Sequence, residues 1–165
     1  EKTFVVLEWL NFGCPFVKKH YETNNMQNLQ KEFVGKKFGD KKDTKVVWYS
    51  VVSSAEGTEG YMTPAETLAA QKKQGSAATA ILIDADGTVG NKYEAKTTPH
   101  MFIISPECKV VYNGAIDNKA TTDKADVTKD STKPSFKNAL QAALANKSIE
   151  MASNKPYGCS VKYKN

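Results

Sequence analysis

The chain has 165 residues, of which 40% are hydrophobic, and a formal net charge of +5. This is the size of one domain with enough apolar side chains to fill a core, and it contains no apolar run long enough to span a membrane. The 23 basic residues are all lysines, interleaved with 18 acidic residues. Nucleic-acid-binding proteins cluster Lys and Arg beside stacking aromatics, so this composition argues against nucleic-acid partners.

The first chemically informative segment joins a strand to a helix. Residues 3–10 are β-branched, aromatic or aliphatic with one acidic exception, which is typical of a buried parallel strand. Pro15 suits the first turn of a helix, which we predict to run to about Phe33. Cys14 then lies at the N-cap, where the positive end of the helix dipole favours the thiolate. Lys18, one turn further on, adds positive charge on the same side.

The rest of the chain shows alternating strand and helix patterns. Thr63-Pro64-Ala65-Glu66 is a capping box that predicts a helix to about Gln74. Asp84-Ala85-Asp86-Gly87 is interpreted as a turn, because its glycine comes too early for a calcium loop. Further strands are predicted at 45–53, 79–83, 101–105 and 109–113, a surface loop at 117–133 and an amphipathic helix at 135–145.

Three cysteines bear on the function. Besides Cys14, Cys108 falls in a hairpin turn and is predicted to be an exposed thiol. Cys159 lies in a tail, 147–165, which shows no periodicity and follows a domain at 1–146. The cysteines have no zinc-binding spacing, so we predict no metal site and no cofactor. A functional pair plus one spare thiol suits an oxidising compartment.

The segment Glu8-Trp9-Leu10-Asn11-Phe12-Gly13-Cys14-Pro15-Phe16-Val17 and the helix after it resemble the active site of the thioredoxin superfamily, in particular its redoxin branch. Glu8 lies where thioredoxins keep a buried carboxylate. Thr98-Pro99-His100 resembles their cis-proline turn, and the segments 83–87 and 103–106 resemble redoxin strands and turns. The closing segment 156–163 is similar to the tail of a little-characterised subgroup. The resemblance implies an α/β, thioredoxin-like fold, with a central mixed β-sheet and helices on both faces.

The sequence also departs from the two best-known activities of this superfamily. Val17 stands where thioredoxins have their second cysteine. Asn11 stands where peroxiredoxins have threonine, and the chain has no arginine. The resemblance therefore implies a thiol–disulfide oxidoreductase with Cys14 as nucleophile and Cys159 as the resolving cysteine.

Further site residues follow from the same resemblance. We expect Glu8 to relay protons from its buried position. Pro99 would shape the groove in which a substrate lies, and Pro15, Phe16 and Thr98 would contact that substrate. The expected partners are protein or small-molecule disulfides and thiols, and the protein is expected to be a monomer.

Two alternatives stay open. The first is a thiol peroxidase, in which Cys14 becomes a sulfenic acid that Cys159 resolves. The second is a copper-binding module that uses Cys14 and Cys159, with His20 or Met26 as further ligands. The chain opens directly at a core strand, from which we infer a processed N-terminus and a periplasmic or secreted location.

Three expectations can be compared with a structure. Strand 45–53 should lie parallel between 4–10 and 79–83, with 101–105 antiparallel on the other side of 4–10 and 109–113 next. The tail should carry no regular element of its own, dock when oxidised and loosen when reduced. Cys14 and Cys159 should form a reversible disulfide, which requires Cα atoms within about 7 Å.

Overall fold

The computed structural model describes residues 2–40 and 42–164. Eight strands are assigned in this part of the chain: β1 (Lys2–Trp9), β2 (Lys37–Phe38), β3 (Thr44–Val52), β4 (Ala80–Ile83), β5 (Thr97–Thr98), β6 (His100–Ile104), β7 (Val110–Gly114) and β8 (Cys159–Ser160). The helices are α1 (Pro15–Glu22), α2 (Asn25–Phe33), α3 (Pro64–Lys73), α4 (Thr88–Lys92), a 3₁₀ helix (Lys124–Thr128) and α5 (Ser135–Leu144).

The central sheet confirms the predicted strand order. Its path is β2-β3-β1-β6-β7, and β4 pairs with β3. Strand β3 runs parallel to both β1 and β4, while β6 is antiparallel to β1. Strand β1 has apolar side chains on both faces, as expected for a strand in the middle of a sheet that is covered on both faces.

Two hydrophobic clusters occupy the two faces of the sheet. The larger cluster packs α1, α2 and α5 against the sheet, with Trp48 and Phe136 fully buried at its centre. Their rings meet edge to face at 5.3 Å between centroids. The smaller cluster is built on Trp9 and Phe102 and is covered by Tyr93, at the end of α4, and by Val161 of the tail. The expected mixed sheet with packed helices is confirmed.

The prediction of one helix from Cys14 to Phe33 is wrong. The helix stops at Glu22, and a second helix starts at Asn25. Between them Asn24 adopts the left-handed conformation with φ of 58°, which asparagine tolerates better than most residues. The break lets α2 pack its own face, including Met26 and Phe33, into the core.

Several local predictions are confirmed. Thr63 and Glu66 form the reciprocal capping box that starts α3. Strands β6 and β7 form the predicted hairpin, and Cys108 in its turn is exposed with φ of 60°. Helix α5 buries Phe136 and Leu140, as its spacing predicts.

Two expectations about irregular segments need correction. The loop 117–133 is not only a surface excursion, since Asp117 and Asp126 are buried within it. The tail does carry a regular element, because β8 pairs antiparallel with β5. Among the described residues, no helix is long and apolar enough to cross a membrane.

Candidate active site

Cys14 lies at the junction that the sequence predicts. It is the N-cap residue of α1, Pro15 follows in the first turn, and only 1% of Cys14 is exposed. The turn before it is held by Asn11, whose backbone carbonyl accepts from the Cys14 N–H and whose side-chain Oδ1 accepts from the Gly13 N–H. The thiol therefore faces the unpaired N–H groups that open the helix.

Cys159 lies directly against Cys14. The two Sγ atoms are 2.6 Å apart, closer than a van der Waals contact between two sulfur atoms. Cys159 reaches this place through β8, where it lies opposite Thr98 of β5. The peptide bond between Thr98 and Pro99 is cis, and the Thr98 carbonyl accepts a hydrogen bond from Cys14 Sγ at 3.2 Å. The turn, the tail and the helix start thus meet at two sulfur atoms.

Gly158 permits the close approach of the tail to the turn. Its φ of 136° lies in a region that favours glycine. A Cβ atom at this position would collide with the carbonyl oxygen of Thr98. A larger residue before Cys159 would therefore push the tail away from β5.

The two thiols differ in acidity. Burial is the largest effect and by itself would raise the pKa of Cys14, but the neighbouring Cys159 thiol and the Val17 backbone N–H outweigh it, so the pKa of Cys14 is lowered. The pKa of Cys159 is raised, first by burial, then by its hydrogen bond to Cys14 and by the negative charges of Cys14 and Glu59. At neutral pH, Cys14 therefore loses its proton more readily than Cys159, which remains protonated.

Glu8 is fully buried, as expected for a carboxyl in an apolar strand. Burial raises its pKa to about 7 against the opposing effect of four hydrogen bonds. These come from Trp48 Nε1 at 2.8 Å, Tyr21 Oη at 2.9 Å, Ser50 Oγ at 3.1 Å and Gln30 Nε2 at 3.3 Å. Such a carboxyl can hold or release a proton near neutral pH.

The other predicted contact residues lie at the same helix start. Pro15 is exposed and Phe16 is half-buried, with its ring 5.9 Å from that of Tyr157 in the tail. Lys18 is exposed, so its charge faces solvent. The buried lysine is its neighbour Lys19, which is 1% exposed and which the sequence analysis did not single out.

A buried polar cluster that the sequence does not predict lies beside the sulfur pair. Lys19 and His20 of α1 both contact the hydroxyl group of Tyr157 in the tail, which donates to Asp117. The polar neighbours of Asp117 in the sequence predict a surface loop. The available signal was the pair Lys19-His20 on a helix that must pack against a sheet.

Of the candidate copper ligands, Cys14 and Cys159 lie together, whereas the further candidates, Met26 and His20, have other neighbours. Met26 is fully buried in the larger hydrophobic cluster. Both ring nitrogens of His20 have polar neighbours, Nδ1 with Asn25 at 2.8 Å and Nε2 with Tyr157 at 3.3 Å. Within residues 2–40 and 42–164, no group of three or more His, Cys, Asp or Glu side chains could hold a metal ion.

Comparisons with known proteins identify the fold. No family model and no curated protein matches the sequence. A solution structure of a thioredoxin-like protein in the oxidised form is similar, with a TM-score of 0.58 and 10% identity, over 89% of this chain and 81% of that one. The fold is thioredoxin-like. This confirms the fold class that the resemblance at Cys14 implies.

Two other solved structures superpose over almost the whole chain. An uncharacterised conserved protein from Geobacillus kaustophilus has a TM-score of 0.77 and 23% identity, covering 98% of this chain and 77% of that one. A hypothetical protein from Sinorhizobium meliloti 1021 has a TM-score of 0.75 and 20% identity, covering 98% and 80%. Because the superposition covers 98% of this chain in both cases, it extends beyond the sheet into the tail.

Proposed function

We propose that this protein is a thiol–disulfide oxidoreductase in which Cys14 is the nucleophile and Cys159 the resolving cysteine. The observation that carries the proposal is the 2.6 Å separation of the two sulfur atoms. The opposite pKa shifts of Cys14 and Cys159 support this division of roles, because a thiolate attacks a disulfide whereas a protonated thiol does not.

The reaction proceeds by two exchanges. The Cys14 thiolate attacks one sulfur of a substrate disulfide, a mixed disulfide forms, and the first substrate thiolate leaves and takes up a proton. Cys159 then loses its proton and attacks Cys14 Sγ, so that the second substrate thiolate leaves. The substrate gains two electrons and the protein is left with a Cys14–Cys159 disulfide, which an external thiol reduces. Run in reverse, the same steps oxidise a dithiol substrate.

Glu8 is the proposed proton-transfer group. It lies in β1, the strand that leads into Cys14, and its pKa of about 7 lets it exchange protons at neutral pH. Four hydrogen bonds to its two oxygens keep the carboxyl in one orientation.

The substrate region is proposed to lie at the exposed end of α1 and the cis-proline turn. Pro15 is exposed and Phe16 is half-buried, while Thr98 lies beneath the tail and Pro99 turns the chain beside it. Because Cys14 is 1% exposed, the tail must move aside before a substrate sulfur can reach it. We propose that thiols and disulfides are the partners, in an oxidising compartment where such a pair cycles.

Turnover with insulin or glutathione disulfide tests this function. We expect Cys14→Ser to abolish turnover, Cys159→Ser to trap a mixed disulfide at Cys14, and Cys108→Ser to behave as the wild type. Full turnover by Cys159→Ser, with no Cys14–Cys159 disulfide in peptide maps run without reductant, would contradict the proposal. Hydrogen peroxide consumption in the same preparations distinguishes a peroxidase, in which peroxide oxidises Cys14 before Cys159 condenses with it.

A further inference from the structure

We propose that Tyr157 is a positioning residue for Cys159, because its hydroxyl group anchors the tail in a buried polar socket formed by Lys19, His20 and Asp117. This inference rests on the proposed function, since it concerns how the resolving cysteine is held in place. Tyr157 precedes Cys159 by two residues in the sequence, so its contacts would act on the reaction through the position of the tail.

The socket uses the full hydrogen-bonding capacity of the hydroxyl. Tyr157 Oη donates to Asp117 Oδ1 at 2.6 Å. It accepts from Lys19 Nζ at 3.3 Å and faces His20 Nε2 at the same distance. With the Asn25 amide donating to His20 Nδ1 at 2.8 Å, the proton of the neutral ring lies on Nε2. One donor and two acceptor positions are thereby all occupied.

The socket is buried and its charges balance. Lys19, His20 and Asp117 are 1%, 0% and 5% exposed. Burial, followed by the nearby Lys19 charge, lowers the pKa of His20 to about 3, so the ring is neutral. The remaining charges are the Lys19 ammonium and the Asp117 carboxylate, and Tyr157 Oη hydrogen-bonds both. A hydrogen bond between a hydroxyl and a buried carboxylate is stronger than one between neutral groups.

The helix that carries two of the three socket residues also presents the nucleophile. Lys19 and His20 lie in α1, and Cys14 is the N-cap of the same helix. Phe16, also in α1, packs on the Tyr157 ring, and Lys19 Nζ lies 5.1 Å from the centre of that ring. An anchor on α1 therefore sets the distance between Cys159 and Cys14 even when no covalent bond joins them.

The tail has a second attachment on the other side of Cys159, which supplies the control. Tyr163 Oη donates to the Ala95 carbonyl at 2.7 Å. This hydrogen bond joins neutral groups and involves no residue of α1. Removing it loosens the tail without disturbing the socket, so the variants Tyr157→Phe and Tyr163→Phe separate anchoring on α1 from general attachment of the tail.

The equilibrium between the Cys14–Cys159 disulfide and glutathione tests the inference in the full chain. We expect Tyr157→Phe to lower this equilibrium constant about tenfold, because the ring packing is kept but the reduced tail, without its charge-assisted hydrogen bond, lies beside Cys14 for less of the time. Tyr163→Phe should lower it less. Asp117→Asn, which keeps an acceptor oxygen but removes the charge, should fall between the wild type and Tyr157→Phe. Thermal unfolding of each variant shows whether it is folded, and Asp117→Asn carries the test if Tyr157→Phe does not fold.

Two results would overturn the inference while leaving the proposed function intact. One is an unchanged equilibrium constant in folded Tyr157→Phe, or in Asp117→Asn where Tyr157→Phe does not fold. The other is an equal fall in Tyr157→Phe and Tyr163→Phe. Absence of a Cys14–Cys159 disulfide in the wild type, by contrast, would reject the proposed function.

The anchor is then tested by alkylating Cys159 in a Cys14→Ser and Cys108→Ser background. There Tyr157→Phe should accelerate the reaction about tenfold, and an unchanged rate would reject the anchor.

Discussion

Thr98 lies opposite Cys159 in the ladder between β5 and β8, and its carbonyl oxygen accepts from Cys14 Sγ at 3.2 Å. Thr98, the residue that precedes the cis peptide bond, therefore contacts both the tail and the nucleophile. Because β5 and β8 are only two residues long, this pairing is short enough to open and reform. The site joins three segments that are remote in sequence, and each can be altered separately.

The acidity of Cys14 should depend on the proton held by Cys159. In a Cys108→Ser background, the alkylation rate of Cys14 should titrate below the usual thiol value of about 8.5. Cys159→Ser retains a hydroxyl donor and should keep the pKa of Cys14 low, whereas Cys159→Ala should raise it, because the donor is lost. Rates measured from pH 5 to 10 with a small alkylating reagent test this, and identical profiles for the two variants would contradict it.

Gly158→Ala should weaken the Cys14–Cys159 disulfide. The added methyl group collides with the Thr98 carbonyl, and φ of 136° is unfavourable for alanine. We expect the tail to detach from β5, the disulfide to become less stable towards glutathione, and Cys14 to react faster with alkylating reagents.

Gly57→Ala is the matched control for this substitution. Gly57 also has a positive φ, of 80°, but nothing lies within 4 Å of a Cβ placed there. This variant should lose about 1 kcal/mol of unfolding free energy and keep the disulfide equilibrium of the wild type. If Gly158→Ala matched it in both measurements, close approach at Gly158 would not matter.

Glu8→Gln should change how stability depends on pH. Folding raises the pKa of Glu8 from 4.5 to about 7, so the folded chain binds more protons than the unfolded chain between these values. This contribution is fully present below pH 4.5 and is lost as pH rises to about 7, by about 3 kcal/mol in total. The wild type minus Glu8→Gln difference in unfolding free energy should therefore fall by about that amount from pH 4.5 to 7.5 in denaturant titrations.

The same variant tests the proposed role of Glu8 in proton transfer. Thiol–disulfide exchange by Glu8→Gln should be slower and should lose the part of its pH profile centred near pH 7. Unchanged kinetics from pH 5 to 9 would make Glu8 a structural residue only. Glu66→Gln, at the exposed start of α3, is the control for removing a carboxylate elsewhere.

Cys108→Gly should stabilise the protein and leave its redox reaction unchanged. Cys108 is exposed in the β6–β7 turn with φ of 60°, a conformation that costs a residue with a side chain more than it costs glycine. Relief of the left-handed conformation contributes about 1–2 kcal/mol, and the greater freedom of glycine in the unfolded chain opposes it by roughly 0.5–1 kcal/mol. We therefore expect a net gain of up to about 1 kcal/mol in unfolding free energy. Thermal melts and glutathione disulfide turnover check both parts, and a loss of turnover would show that Cys108 takes part in the exchange.

The elements that the sequence predicts correctly depend on neighbours a few residues apart. The N-cap position of Cys14 follows from the proline after it, and the start of α3 follows from the capping box at Thr63. The strand order follows from apolar runs and from the rule that parallel strands need a crossover between them. Glu8 could be placed in the interior because its strand is otherwise apolar.

The tertiary structure alone decides the contacts that assemble the site. Asn24 could continue a helix, and only the packing of α2 requires its left-handed conformation. The polar loop around Asp117 predicts a solvent-exposed side chain, yet Asp117 is buried beside Tyr157, which also contacts Lys19. Cys159 lies in a segment without periodicity, so no local pattern places it opposite Thr98. Hydrophobic periodicity and helix capping act within a few residues, whereas these contacts join residues far apart in the chain and form only when the whole sheet and its tail pack together.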